Sequence, residues 1–424
     1  MLQGRLAGAS LVITLAGSLI WSSAAFANRI LMPTLSHGLA QEQAIVAAHQ
    51  AINPPAPPCP ETGMLPEPLS NCGLPEAPAT TLPYPGNMAY WGGHVQVKPE
   101  IYLVYLGWGK AGAFPQTDRC KAETLNEGAL SARLKCDPDG AGSRMADWVN
   151  QLGGTQWAGV STQFYQSTPG GQTQNITNPS NVLAGIWADN SNKAPDLAGT
   201  SASNAPGPGN TYTDLGAEAA RAVAHFHITD LANANIVIAQ PPGFSDPNAL
   251  ETGYCAFHDY TQPGVEGGIY NGIKPNIAYT NMPYVLAIDS TSAAGGEPVN
   301  DCGENAVNSG AAGKLDGVSI VLGHEIEETV TDPGAEDIIG SGAGAANLGG
   351  WYDTVDANEN GDKCAWVGEP LVGGLPGVPN VMPIPGAMGD ITGNGGTTFA
   401  VQSLWSNEAA AGTGYCAGAG TDLP

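Results

Sequence analysis

The chain has 424 residues and a formal net charge of −25, from 39 acidic and 14 basic residues. That balance repels phosphate backbones and anionic lipid, which argues against nucleic-acid and membrane partners. Only 12% of residues are charged, whereas Gly (58) and Pro (34) abound; with 42% hydrophobic residues the chain still builds a core, one laced with structured loops.

The first 27 residues read as a secretory signal. Arg5 provides the positive start, Leu11 to Trp21 the apolar stretch, and Ala25-Phe26-Ala27 an A-x-A cleavage site. A secreted, extracellular destination follows, and it gives the eight cysteines a meaning. In an oxidising compartment an even number supports up to four disulfides. The pairing we favour is sequential: Cys59–Cys72, Cys120–Cys136, Cys255–Cys302 and Cys364–Cys416. No C-x-x-C pair is present, so a zinc ribbon is the weaker reading. Residues 28–87 are proline-rich and aperiodic, a leader that is either an extended linker or a propeptide.

The main domain, 88–424, starts near Met88. Ile101 to Leu106 reads as a strand and Ser143 to Leu152 as a helix. Ser161 to Gln166 and Val182 to Ala188 read as strands. Asp214 to Phe226 is a helix capped by Asp214, leading into a buried strand at Asn235 to Ala239. Asn276 to Tyr279 and Tyr284 to Ile288 read as further strands. A helix over about 316–331 follows, and then a glycine-rich tail without long periodic segments. Loosely alternating strands and helices predict one α/β domain with a mixed sheet, loop-rich and disulfide-bonded.

The chemistry concentrates in the last helix. Val318, Leu322, Ile326 and Val330 form an apolar stripe at i, i+4 spacing. His324, Glu328 and Glu325 fall within an arc of about 100° on another side, while Glu327 points away. Asp316 caps the start, and Asp332-Pro333 ends the helix. The pattern is the H-E-x-x-H of zinc hydrolases with Glu328 in place of the second histidine. Two ligands one helical turn apart would flank Glu325, the base that removes a proton from water. A third ligand should come from downstream, where Asp353, Asp356, Glu359 and Asp362 are the candidates. Such a helix also occurs without metal, so the alternative is a purely structural helix.

Four blocks carry a resemblance: Tyr90 to Val95, Tyr254 to His258, Gly323 to Pro333, and Trp351-Tyr352 followed by Glu359 to Cys364. Across residues 88 to 416 the chain resembles the Exordium or phosphate-induced protein family and its microbial secreted relatives. The resemblance implies an extracellular protein with a zincin-like helix, and Glu359 matches that family's downstream acidic position. On it, His324, Glu328 and Glu359 are the metal ligands and Glu325 the catalytic base. Asp362, Asp332 and His258 are then outer partners or alternative ligands. The proline-rich leader and the glycine-rich stretch near 341–350 depart from the plant pattern and weaken a growth-signalling role. With two carboxylates and one histidine, zinc is the expected ion, and Mn²⁺ or Ca²⁺ fit as well.

Other signals are weaker. Asp356 to Gly361 matches the first half of a calcium loop, but Val367 stands where the bidentate Glu belongs, so an Asn/Gly turn is the better reading. His225 and His227 face different ways on a helix. His94 and His258 read as ordinary loop histidines, although His258, or a tyrosine, would serve to stabilise an oxyanion. Trp91, Trp108, Trp157 and Trp187 read as core rather than sugar platforms. Asn175-Ile176-Thr177 is a glycosylation sequon only in a eukaryotic host. No G-x-S-x-G elbow stands out. The leading expectation is a secreted metallopeptidase acting on a peptide or cell-wall substrate. The alternative is a non-enzymatic extracellular protein associated with wall or glycan.

Overall fold

A computed structural model describes residues 87–115, 134–168, 171–189, 212–244, 255–260, 277–289, 302–333, 350–353, 359–364, 388–412 and 414–418. The signal segment, all of the leader except Asn87, the Asp356 end of the calcium-like loop, and Cys59, Cys72 and Cys120 lie outside them. In chain order the strands are β1 (Ala89–Tyr90), β2 (Glu100–Tyr105), β3 (Tyr165–Ser167), β4 (Thr173–Asn175), β5 (Leu183–Trp187), β6 (Ala234–Ala239), β7 (Phe257–Tyr260) and β8 (Ala278–Met282). They continue with β9 (Trp351–Tyr352), β10 (Met388–Thr392), β11 (Thr398–Gln402), β12 (Leu404–Ser406) and β13 (Tyr415–Ala417). The helices are α1 (Ala141–Leu152), α2 (Gln156–Gly159), α3 (Tyr212–Phe226), α4 (Val285–Asp289), α5 (Asp316–Thr331) and α6 (Ala409–Gly412).

The centre is a five-stranded sheet in the order β5-β2-β6-β8-β7. Its first four strands are parallel, and β7 joins the edge antiparallel, so the sheet is mixed as expected. Parallel strands are buried on both faces and read as continuous apolar runs. Ile236, Val237, Ile238 and Ala239 in β6, all fully buried, show it. Side chains alternate across the strand, and β2 shows which helices cover which face. Tyr102 packs on Phe226 of α3 (ring centroids 5.0 Å apart), whereas the hydroxyl of Tyr105 donates to Gly142 O of α1. Helix α5 shares the α1 side and lies between β7 and β8 on one flank and the β10–β11 hairpin on the other.

Two elements differ from expectation for local reasons. Tyr284 to Ile288 is not a strand; β8 stops at Met282 before Pro283, and Val285–Asp289 turns into a short helix. Proline cannot donate to a ladder, and a four-residue apolar run carries no period that separates helix from strand. Within 161–166, residues Val160–Gln163 form a 3₁₀ turn continuing α2, and β3 begins only at Tyr165. Here Thr162 Oγ1 donates to Gly159 O and Gln163 Nε2 to Val160 O, both at 2.7 Å, so polar side chains bond locally and hold the turn. Asp214 is likewise no cap, since α3 starts at Tyr212. The glycine-rich tail forms two hairpins, β10–β11 and β12–β13.

Two of the expected disulfides are present among the described residues, Cys255–Cys302 and Cys364–Cys416. Cys136 is disulfide-bonded as well. The first bridge ties the approach to β7 to the loop before α5. The second ties the turn after Glu359 to β13. No helix among the described residues is long and apolar enough to cross a membrane.

Candidate metal centre

Helix α5 spans Asp316–Thr331, as its sequence predicts, but every one of its sixteen residues is buried. Asp316 is its first residue and anchors the preceding loop, accepting from Val307 N and from Asn308 N and Nδ2. The apolar stripe accounts for one side. The other side, His324, Glu325 and Glu328, is fully inaccessible too. Glu327, expected to point away, is buried at 3% exposure and accepts from Ser161 Oγ. Burial pushes its carboxyl up to about 8, with the Ser161 bond opposing. Just before His324, a Cβ on Gly323 would lie 2.9 Å from the Trp157 ring, so only glycine lets the helix pass this close.

Three other segments close over the polar side. Strand β7 contributes His258, completely buried; its Nε2 contacts Asp332 O at 3.2 Å. A carbonyl oxygen only accepts, so Nε2 carries a proton, and Nδ1 is the nitrogen left to face the carboxylates of α5. Nδ1 lies 3.5 Å from Glu325 Oε2 and 3.6 Å from Glu328 Oε2. The 359–364 turn supplies Glu359, whose Oε1 is 3.5 Å from His258 Nε2, and Asp362, whose Oδ1 is 3.6 Å from His324 Nε2. His324 Nε2 in turn lies 2.9 Å from Glu328 Oε1.

The 359–364 turn is held firmly. Asp362 N donates to Glu328 Oε1 at 2.9 Å, Gln402 Nε2 to Gly361 O at 2.8 Å, and Trp405 N to Asn360 O at 2.7 Å. Lys363, fully buried, pairs with Asp353 at 2.7 Å and sits 4.4 Å from the centre of the Trp405 ring. Gly361 presses directly on the helix: a Cβ there would come within 2.7 Å of His324 Nδ1 and 2.8 Å of Glu328 Oε1.

The donor atoms form two compact groups, His324 with Glu328 and Asp362, and His258 with Glu325 and Glu328. Glu359 belongs to neither group and stands on the far side of the His258 ring, while Asp362 occupies the place beside His324 and Glu328. Asp332 sits at the end of α5 and accepts from Gly350 N at 2.8 Å. His258 is the residue the sequence undervalued. Its one sequence signal is Cys255 three residues earlier, which forecast a tether but not its destination. His94 is well buried, and burial lowers its basicity. His225, by contrast, stacks on Trp187 and takes no part in either donor group.

Burial raises the carboxyls of Glu325, Glu359 and Asp362, most strongly the last two; His258 opposes at Glu359, while Glu328 reinforces at Asp362. Burial acts to lower both histidines, but neighbouring carboxylates overcome it: His324 is pushed up to about 9, chiefly by Glu328, and His258 is raised well above its usual range, chiefly by Glu359. The cluster is short of positive charge. Even so, several of its atoms have no hydrogen bond: His258 Nδ1, both nitrogens of His324, both oxygens of Glu325 and of Glu359, and Glu328 Oε2. Buried polar atoms are almost always paired, so this many orphans in one place form a set that a bound cation would satisfy. The set also suits one chemically, since imidazole and carboxylate are zinc and manganese ligands. Comparison with family models, curated proteins and solved structures finds no match, and the chemistry therefore rests on this geometry.

Proposed function

We propose that the protein is a secreted metal-dependent hydrolase, a zincin-like peptidase in its simplest form, with its ion held by His324, Glu328 and Asp362. The observation that carries the reading is the set of orphaned, fully buried donor atoms around Glu328. Two of these ligands are those the H-E-x-x-E spacing points to, and the third is Asp362 rather than Glu359. The Asp362 side chain keeps 12% exposure, unlike its fully buried neighbours, so the solvent edge of the group lies there. Disulfides support the extracellular setting.

A divalent ion held here would supply polarisation of a carbonyl and acidification of a water. Glu325 is the residue that would accept a proton and return it to a departing amine: its carboxyl is buried, without a hydrogen bond, and raised in pKa by burial. His258 sets Nε2 against Asp332 O and turns Nδ1 toward Glu325 and Glu328, so on this reading it lines the centre instead of serving as an oxyanion donor.

The test is the metal content of the purified mature protein beside a His324→Ala/Glu328→Ala variant, followed by a peptidase screen. Bound zinc that the variant loses supports the reading. Zinc-free protein, even after zinc is offered, sinks it and leaves a structural helix in a non-enzymatic extracellular protein. Within a metal-loaded protein, Glu325→Gln should lower turnover about 10²–10⁴-fold while the ion at His324 stays bound.

A further inference from the structure

Glu328 has two oxygens, and they face different groups. Oε1 lies 2.9 Å from His324 Nε2, on the Asp362 side, whereas Oε2 lies 3.6 Å from His258 Nδ1, on the Glu325 side. We propose a second divalent-cation position at His258 Nδ1, Glu325 Oε2 and Glu328 Oε2, so that the centre holds a pair of ions bridged by Glu328. This rests on the first position, at His324, Glu328 and Asp362, being a metal site.

Three observations carry it. The first is spacing. Donors bound to one tetrahedral ion at about 2.0–2.2 Å stand about 3.3–3.6 Å apart. His258 Nδ1 stands 3.5 Å from Glu325 Oε2 and 3.6 Å from Glu328 Oε2. A charge-assisted hydrogen bond between the same atoms would close to about 2.7–2.9 Å. The second is the direction of the His258 ring. Nε2 is engaged by Asp332 O, with Glu359 beside it, which turns the lone pair of Nδ1 onto the two carboxylates. A backbone carbonyl or carboxylate behind the remote nitrogen is the arrangement that orients metal-ligating histidines. Lone pairs meeting lone pairs in a buried space repel unless a cation stands among them.

The third is charge. Four buried carboxyls, Glu325, Glu328, Glu359 and Asp362, gather around two histidines, and two cation positions share that density of negative groups better than one. The cation closest in sequence, Lys363, is turned away to Asp353. With Glu325 bound through Oε2, its Oε1 remains unpaired and available as the proton acceptor of the hydrolytic reading. One nitrogen and two carboxylate oxygens suit Zn²⁺, Mn²⁺ or Co²⁺ rather than a purely oxygen-seeking ion.

The decisive measurement loads metal-free, full-length mature protein with Mn²⁺ and then, separately, with Zn²⁺. Ions per chain are counted by mass spectrometry, and the manganese form is examined by electron paramagnetic resonance. Two ions per chain, with the exchange-coupled spectrum of a bridged pair, are expected. His258→Ala should retain one ion and Asp362→Asn should retain one, each with an uncoupled spectrum; His258→Gln stands in should the alanine chain fail to fold. One ion in the unaltered protein, kept in His258→Ala and lost in Asp362→Asn, would overturn the second position while leaving the first intact. No ion in any form would overturn both.

Discussion

The fold buries carboxylates in several places and does not treat them alike. On the α3 side of the sheet, Glu218 and Asp189 share Arg221, which bonds to both. Next to the β10–β13 hairpins, Asp353 is likewise answered by Lys363. Around α5, the four carboxyls have two histidines as their ion-pair partners. In the first two places the chain carries its own permanent cation. Around α5, on the metal-centre reading, the counter-charge would come from an exchangeable ion. Buried ion pairs are weak stabilisers at best, but removing one partner is costly. That asymmetry makes the contrast measurable.

The largest effect should come from a built-in cation. Lys363→Met leaves Asp353 buried without its partner, and urea unfolding should show a loss of about 3–5 kcal/mol whether or not metal is present. Next comes the exchangeable cation: zinc at about 100 times its dissociation constant should stabilise the protein by about 3 kcal/mol over the chelated form. Thermal unfolding with and without chelator reads this, and equal values for His324→Ala/Glu328→Ala are expected; equal values for the unaltered chain would erase the contrast. Arg221→Ala should cost about 1–3 kcal/mol, less than Lys363 because the Arg221 side chain is 27% exposed, and should leave metal stoichiometry unchanged.

The smallest effect is a pH slope. Burial, first, and Asp189 push Glu218 up to about 7 despite Arg221. A raised carboxyl binds its proton more tightly in the folded state, so its contribution is best below the unfolded pKa and declines as pH rises toward 7. The slope is on the order of 1 kcal/mol per pH unit, and stability curves between pH 5 and 7 for Glu218→Gln should lack it.

How much of this was legible depended on range. Helix α5 was readable end to end because its signals are local: apolar spacing, then Asp332-Pro333. The meeting of His324 and Glu328 follows from the same helix geometry. What the sequence hid was set by contacts across the chain. His258 reaches the site because β7 pairs antiparallel with β8, with His258 opposite Thr280, and because Cys255 is bridged to Cys302. Cys255 marks the tether, but the strand pairing that aims His258 leaves no mark nearby. Choosing between Glu359 and Asp362 needed the path of a turn whose direction is fixed by Gln402, Trp405 and Lys363, none of which signals that role. Glu327 was placed on an outward face because a helical wheel cannot know that Ser161 waits there.

The Cys364–Cys416 bridge has a consequence for when the protein becomes competent. The turn bearing Glu359 and Asp362 is fastened to β13 by that bond, 52 residues away along the chain, and His258 is fastened near α5 by the other. Without these two bonds the donor segments would be held by non-covalent packing alone. On the metal-centre reading, oxidation would then act as a licensing event, the centre being fully assembled only once the cysteines pair.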